Sequence, residues 1–182
     1  MYALAGVLQA ITLYHGILPS WVMLMWAGLS TVVLLGFYLV FRGNYNLRFH
    51  DPSLTVAQML VAIALVLFTQ VYAGQARGAY LMALSIIMVF GSFKLHTRQL
   101  VGISLLTILC YGLTLPLIRQ VEGAAFDVGV EVVLWCSFSL CLPFIALLGG
   151  SISALRKRLV VSNGQLQEAL RQVTELASHD EL

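Results

Sequence analysis

Charged residues are scarce in this chain, and their scarcity excludes an ordinary water-soluble domain. Asp, Glu, Lys and Arg make up 10% of the 182 residues, whereas hydrophobic residues make up 60%. Soluble globular domains carry roughly a quarter charged residues. The net charge of +2 is also too small to indicate binding to nucleic acid. The composition therefore predicts an all-α membrane protein whose main partner is the lipid bilayer.

The chain also lacks the motifs of an enzyme or a metal site. Its three cysteines, Cys110, Cys136 and Cys141, lie in apolar runs without metal-ligand spacing, and we interpret them as small buried residues. No glycine-rich phosphate loop, catalytic triad or zinc motif occurs in the sequence. We therefore expect these residues to contain no catalytic group and to hold no cofactor.

Long apolar runs are what the sequence has in abundance. Six of them approach the roughly 20 residues that a helix needs to cross a bilayer. Turn residues such as Pro19 and the polar segment 42–53 separate them. The predicted spans cover residues 2–18, 20–41, 54–73, 79–95, 100–118 and 127–149. Residues 1–150 are thus predicted to form a six-span transmembrane sensor domain.

Basic residues are distributed unevenly between the two sets of predicted loops. One set carries only Arg77 and Arg119, beside several acidic residues. The other set carries Arg42, Arg48, Lys94, Arg98, Arg156, Lys157 and Arg158. Because Lys and Arg are concentrated in cytoplasmic loops, the second set is predicted to be cytoplasmic. Six spans then place both termini in the cytoplasm, and the expected location is a bacterial inner membrane.

After Gly150 the sequence turns polar and keeps a heptad repeat through residues 151–182. The a and d positions fall on Ile152, Leu155, Leu159, Ser162, Leu166, Ala169, Val173 and Leu176. This spacing is typical of a parallel coiled coil, so the segment is predicted to be a cytoplasmic signalling linker that joins two copies in a homodimer. The alternative is an amphipathic helix that packs on its own protein.

The junction between the last span and this linker contains Gly149 and Gly150. Pro143 lies a turn or two earlier and is expected to kink the span. We interpret the three residues as a hinge, with a simple helix break at the membrane surface as the alternative.

Polar residues inside apolar runs are candidates for sensing a signal. Asp127 and Glu131 are four residues apart and share one face of the sixth span, where they are candidates for binding a cation or sensing pH. Asp127 also suits the start of a helix, where the helix dipole favours a carboxylate. The candidates for lining a cavity for a small or lipid-like ligand are Gln58, Gln70, Ser85, Ser92, Ser104, Thr107 and Thr114, although most of these are expected to form interhelical hydrogen bonds.

Two histidines, His50 and His96, are predicted to lie at the cytoplasmic face. With Asp51 they are the candidate ligands for a haem or a metal ion. We favour the alternative that they are ordinary interfacial residues, because this pair forms no recognised metal-binding motif.

The chain ends in Ala177-Ser178-His179-Asp180-Glu181-Leu182, and this ending resembles the linker that leads into GGDEF domains. The six-span region resembles the membrane-associated sensor domains found in front of bacterial diguanylate cyclases, on the segments 51–59, 76–80 and 90–95. The resemblance implies a dimer of GGDEF domains that binds GTP and Mg²⁺ and condenses two GTP into cyclic di-GMP. The cyclase domain itself is expected beyond Leu182.

Two other functions fit the same sequence features. A sensor histidine kinase that reads a small hydrophobic signal also joins a membrane domain to a coiled coil. A small transporter or channel would require charged residues deep in the bundle, and the sequence predicts none there.

Overall fold

The computed structural model describes residues 2–45 and 54–179 and is helical throughout, with short turns between the helices. The helices are α1 (Tyr2–Tyr14), α2 (Ser20–Arg42), α3 (Thr55–Gln70), α4 (Arg77–Ser92), α5 (Thr97–Glu122) and α6 (Val128–His179). Short 3-10 turns at Gly74–Ala76 and Gly123–Ala125 precede α4 and α6. No strand occurs in the described ranges, so the all-α prediction is confirmed.

Three helical stretches are long and apolar enough to cross a membrane, namely Ser20–Arg42, Thr97–Ala125 and Val128–Glu168. The other helices are shorter, with 13 residues in α1 and 16 each in α3 and α4. They fall below the roughly 20 residues of a typical span. Length and composition thus support a membrane protein, and the six-span topology remains a prediction.

The core of the fold lies between α3, α4, α5 and α6. Each of these helices buries apolar side chains at spacings of three, four or eight residues, which places them on one helix face. Examples are Met59, Ile63 and Val66 on α3, Tyr80, Leu84 and Ile87 on α4, Leu100, Ile103 and Tyr111 on α5, and Phe138, Leu142 and Ala146 on α6. In a bilayer such contacts stabilise the fold through close packing rather than through removal of apolar surface from water.

The helix α2 lies at the edge of this bundle. It packs on α1 and α3 through its first half, where Val22, Trp26 and Ser30 are buried. From Thr31 to Arg42 no side chain is buried. The surface of the bundle also exposes Cys136 and Cys141, and Cys110 is only half-buried, so the interpretation of the cysteines as buried residues is wrong for two of the three.

The last helix, α6, is continuous through Pro143, Gly149 and Gly150. At about 1.5 Å per residue, its 52 residues span about 78 Å, more than twice the roughly 30 Å of a bilayer core. The alternative interpretation, a helix break at Gly149 and Gly150, is therefore wrong, because the backbone there is helical. The hinge itself stays a prediction.

The two glycines make close contacts with the α4–α5 corner. A Cβ atom on Gly149 would overlap the Cβ of Ser92, and one on Gly150 would overlap the side chain of Thr97. Both glycines are buried. They let α6 approach this corner more closely than any other residue would allow. We call this region of the bundle, defined by Ser92, Thr97, Gly149 and Gly150, the glycine end.

Candidate functional site

A cluster of buried charged residues lies at the opposite end of the bundle. Arg77 is the first residue of α4, Glu122 is the last residue of α5, and Glu131 lies in the first turn of α6. The chain reverses at the 3-10 turns before α4 and α6, and these reversals bring the three side chains together. We call this region, defined by Arg77, Glu122 and Glu131, the charged end.

Arg77 bridges both carboxylates of the charged end. Its Nη2 lies 2.5 Å from Oε1 of Glu122, and its Nη1 contacts Oε1 of Glu131. The side chains of Arg77, Glu122 and Glu131 are only 4%, 18% and 6% exposed. One guanidinium therefore faces the buried carboxylate of Glu131 and the partly buried carboxylate of Glu122, and the cluster carries an excess negative charge. A buried charge without a partner is strongly unfavourable, so this excess favours a further positive charge beside the cluster.

The second oxygen of Glu131 has a weaker partner. The hydroxyl of Tyr111 donates to Oε2 of Glu131 across 3.5 Å, at the outer limit for a hydrogen bond. Tyr111 is itself fully buried and packs edge-on against Phe138 of α6. Glu131 thus links α4, α5 and α6 through Arg77 and Tyr111.

Hydrogen bonds between helices join α1 to the same end of the bundle. Nε2 of Gln9 donates to Oγ1 of Thr69 at 3.0 Å, and the hydroxyls of Thr12 and Tyr80 lie 3.0 Å apart. Beside them, Gln70 is completely buried, and neither polar atom of its side chain has a hydrogen-bond partner. The polar candidate Gln70 therefore lies in a buried polar region with unused hydrogen-bonding capacity.

Two cavities meet at Glu131. A small cavity of about 150 Å³ is lined by Gly74, Gln75, Arg77, Gly78, Glu122, Ala125, Asp127, Val130, Glu131 and Leu134. A wider cleft of about 720 Å³ between α5 and α6 has mainly apolar walls, which include Leu115, Pro116, Phe126 and Val132, with Arg119 as its cation. Glu131 forms part of both walls.

Asp127 caps the N-terminus of α6. Its Oδ1 accepts hydrogen bonds from the backbone N–H groups of Gly129 at 2.8 Å and Val130 at 3.3 Å. This geometry satisfies two of the four N–H groups that a helix start leaves free. Asp127 also lines the small cavity, so the structure brings both predicted acidic candidates, Asp127 and Glu131, to one place.

The residues predicted to line a ligand cavity differ from expectation in their hydrogen bonds. Their hydroxyls donate to carbonyls three or four residues earlier in the same helix, so the expectation of mainly interhelical hydrogen bonds is wrong for Ser85, Ser92, Ser104, Thr107 and Thr114. Such bonds form within any helix and need no neighbour. Gln58 is half-buried near the start of α3, about 18 Å along the helix axis from Gln70, so these two candidates do not share a site.

Of the two predicted histidines, only His96 lies among the described residues. His50 and Asp51 lie outside the described residues. His96 precedes α5 and caps it, with its backbone N–H donating to Oε1 of Gln99 at 3.2 Å. Among the described residues, no group of three His, Cys, Asp or Glu side chains is placed to hold a metal ion.

The predicted coiled-coil positions are exposed along α6. Ile152, Leu155, Leu159 and Leu166 are 58–60% exposed, so this part of α6 does not pack on its own bundle. Val173 and Leu176 lie in α6, but their side chains are outside the described part of the chain. The apolar stripe therefore lacks an intramolecular partner along its described length, and pairing with a second copy remains a prediction.

Arg77, Glu122 and Tyr111 were not identified as site residues from the sequence. The available signal was that Arg77, Glu122 and Glu131 fall near the same predicted membrane face with opposite charges. Comparisons with protein-family models, with curated proteins and with solved structures give no significant match to this chain.

Proposed function

We propose that this chain is a membrane input module that passes a change at the charged end along α6 to a C-terminal output domain. The observation that supports this most directly is the continuity of α6, which carries Glu131 in its first turn and the exposed apolar stripe from Ile152 onward. A rigid helix transmits rotation or translation over such distances, and a helix broken at Gly149 would not.

The proposed topology has six spans with both termini in the cytoplasm. It is supported by the bias of Lys and Arg toward one set of loops and by the apolar surfaces of the helices. In this arrangement the charged end faces away from the cytoplasm, and α6 leaves the membrane at the glycine end. The inner membrane of a bacterium is the proposed location.

The proposed assembly is a parallel homodimer. Ile152, Leu155, Leu159 and Leu166 follow one another at spacings of three, four and seven residues on one exposed face, and a second copy of the same helix presents a matching face. A coiled coil has discrete registers, so a shift of α6 at the membrane would change how two output domains meet.

The proposed output is a diguanylate cyclase, on the resemblance of the ending at Asp180-Glu181-Leu182 to the linker of GGDEF proteins. GTP and Mg²⁺ are then substrate and cofactor of the output domain. The proposed function of the membrane domain does not depend on this assignment. A histidine kinase output would use the same membrane domain and the same linker. It would be recognised by autophosphorylation instead of the synthesis of cyclic di-GMP.

The test uses the full-length protein and two insertions in α6 after Val161. Inserting seven residues preserves the heptad register, and inserting four residues rotates the two ends of the helix relative to one another. We expect cyclic di-GMP from the parent and from the seven-residue variant, and a several-fold change in the four-residue variant. Equal synthesis of cyclic di-GMP by the two insertion variants would contradict transmission through the linker part of α6. A parent that makes no cyclic di-GMP under any condition would contradict the cyclase assignment.

Transport is the second candidate, because the charged end places ionised groups inside the bundle. These groups all lie within a turn of helix termini, at one end of the protein. A transport path needs polar groups through the middle of the bundle. The described core there is mainly apolar, and its hydroxyls, such as those of Ser104 and Thr107, donate to carbonyls of their own helix. A flux assay in liposomes separates the two functions.

A further inference from the structure

The small cavity at the charged end has an unusual balance of charge. Its walls contain three carboxylates, from Glu122, Asp127 and Glu131, and one guanidinium, from Arg77. Arg77 already pairs with Glu122 and Glu131. Two negative charges of the cavity wall are therefore left without a cation among the lining residues. An excess of this kind beside a buried cluster favours a positively charged occupant.

Arg77 supplies a second and independent feature. Its side chain is 4% exposed, it lines the cavity, and its Nε–H is buried without a hydrogen-bond acceptor. Buried donors are almost always paired, and an unpaired one indicates a missing acceptor. The occupant that satisfies both features carries a positive charge and a neighbouring acceptor atom.

The size of the cavity and the spacing of its groups restrict the occupant further. About 150 Å³ is well below the range of a drug-sized pocket and suits a ligand of a few heavy atoms. Within the described residues, the acidic side chains do not form a group placed to hold a metal ion. The carboxylates therefore do not converge on one ion, and an organic cation with several N–H donors suits them better.

We infer that the charged end binds a protonated primary amine with an adjacent oxygen acceptor, of the size of an amino alcohol. The ammonium group donates to the carboxylates of Glu122 and Asp127, and the oxygen accepts from Nε of Arg77. The same chemistry occurs in a free amino alcohol and in the head group of an ethanolamine phospholipid. This inference deepens the proposed function, on which it rests for its biological meaning, because it names the ligand class of the input site.

The test measures the thermal unfolding temperature of the 182-residue chain in nanodiscs of phosphatidylcholine. A ligand that binds only the folded protein raises this temperature in a saturable way. One arm adds ethanolamine to phosphatidylcholine nanodiscs, and a second arm replaces part of the lipid with phosphatidylethanolamine. Tetramethylammonium is the control probe, because it has the same charge and no N–H donor.

We expect ethanolamine, phosphatidylethanolamine or both to raise the unfolding temperature, and tetramethylammonium to leave it unchanged. A response to the lipid alone assigns the source as a head group, and a response to ethanolamine assigns it as a free amine. Asp127→Asn keeps the helix cap and removes one carboxylate, so it should weaken the apparent affinity about tenfold. Glu122→Gln should do the same, and Glu168→Gln, an exposed position on α6, should respond as the parent does.

Three results would overturn the inference. The first is that the unfolding temperature shows no saturable rise in either arm. The second is that tetramethylammonium raises it as much as ethanolamine does. The third is that Asp127→Asn and Glu122→Gln respond in the same way as Glu168→Gln. Each response is measured against the variant's own starting temperature, so a loss of stability does not imitate a loss of binding. Amine binding without any effect on the output of the full-length protein would contradict the proposed function and leave the binding site in place.

Discussion

The two halves of α6 differ in their contacts with the rest of the chain. Between Val128 and Gly150 the helix buries one face at Glu131, Phe138, Leu142, Ala146, Gly149 and Gly150, at spacings that keep these residues toward α4 and α5. Between Ser151 and Arg171 every described side chain is exposed. The first half packs on its own chain, and the apolar stripe of the second half has no intramolecular contact along its described length. One helix thus joins two contact surfaces that can be altered separately.

The largest expected effect follows from removing the cation of the charged end. Arg77→Met leaves Glu122 and Glu131 buried side by side without a partner, and we expect the free energy of unfolding to fall by roughly 3–5 kcal/mol. Unfolding of the purified protein in mixed micelles measures this loss. The control Arg158→Met lies on the exposed half of α6, where changes are usually within about 0.5 kcal/mol.

A compensating variant sharpens this result. Adding Glu122→Gln and Glu131→Gln to Arg77→Met removes the unpaired charges and should recover most of the lost stability. If the triple variant is no more stable than Arg77→Met alone, the ion pairs are not the reason that Arg77 stabilises the first half of α6.

The first half of α6 was harder to predict from the sequence than the second. The heptads of the second half are local, so Leu159 and Leu166 identify the exposed stripe directly from their spacing. The apolar runs also place α1 to α5 and the start of α6 within a few residues of their observed bounds. In contrast, the contacts of Glu131 join it to Arg77 and Tyr111, which belong to other helices, and only the folded bundle brings them together.

The partners of the buried hydroxyls and amides were also hard to predict from the sequence. Thr107 was expected to bond across helices, but its hydroxyl finds the carbonyl of Ile103 within its own helix. Gln9, which was not singled out, bonds to Thr69 across 60 residues of sequence. Residue type predicts that a polar group in an apolar helix needs a partner, and the packing of the helices decides which one.

The second prediction concerns the exposed half of α6 and the proposed dimer. Leu159→Ala removes a side chain from the apolar stripe, and we expect dimerisation to weaken by roughly 2 kcal/mol per protomer. Val160→Ala is the matched control, because Val160 is also exposed but lies outside the a and d positions. Sedimentation in detergent measures the dissociation constant. Equal effects of the two substitutions would contradict a coiled coil with this register, and neither should change the stability of the bundle.

The smallest expected effect tests the glycine end, where the two halves of α6 meet. Alanine normally stabilises a helix relative to glycine by up to about 1 kcal/mol. Gly102→Ala should follow this rule, because no atom lies within 4 Å of the added methyl group. At Gly149 the methyl group would overlap the Cβ of Ser92, and overpacking of this kind destabilises by about 1–3 kcal/mol. We therefore expect Gly149→Ala and Gly102→Ala to shift the unfolding midpoint in opposite directions.

The pair Gly149→Ala and Ser92→Gly identifies the cause of that shift. If the close contact of α6 with the α4–α5 corner is responsible, Ser92→Gly makes room for the new methyl group and returns the midpoint toward that of the parent. A double variant that stays as unstable as Gly149→Ala alone would mean that the glycine is needed for backbone freedom, as the predicted hinge requires. The same measurement therefore distinguishes a fixed contact from a hinge at the point where the buried half of α6 meets its exposed half.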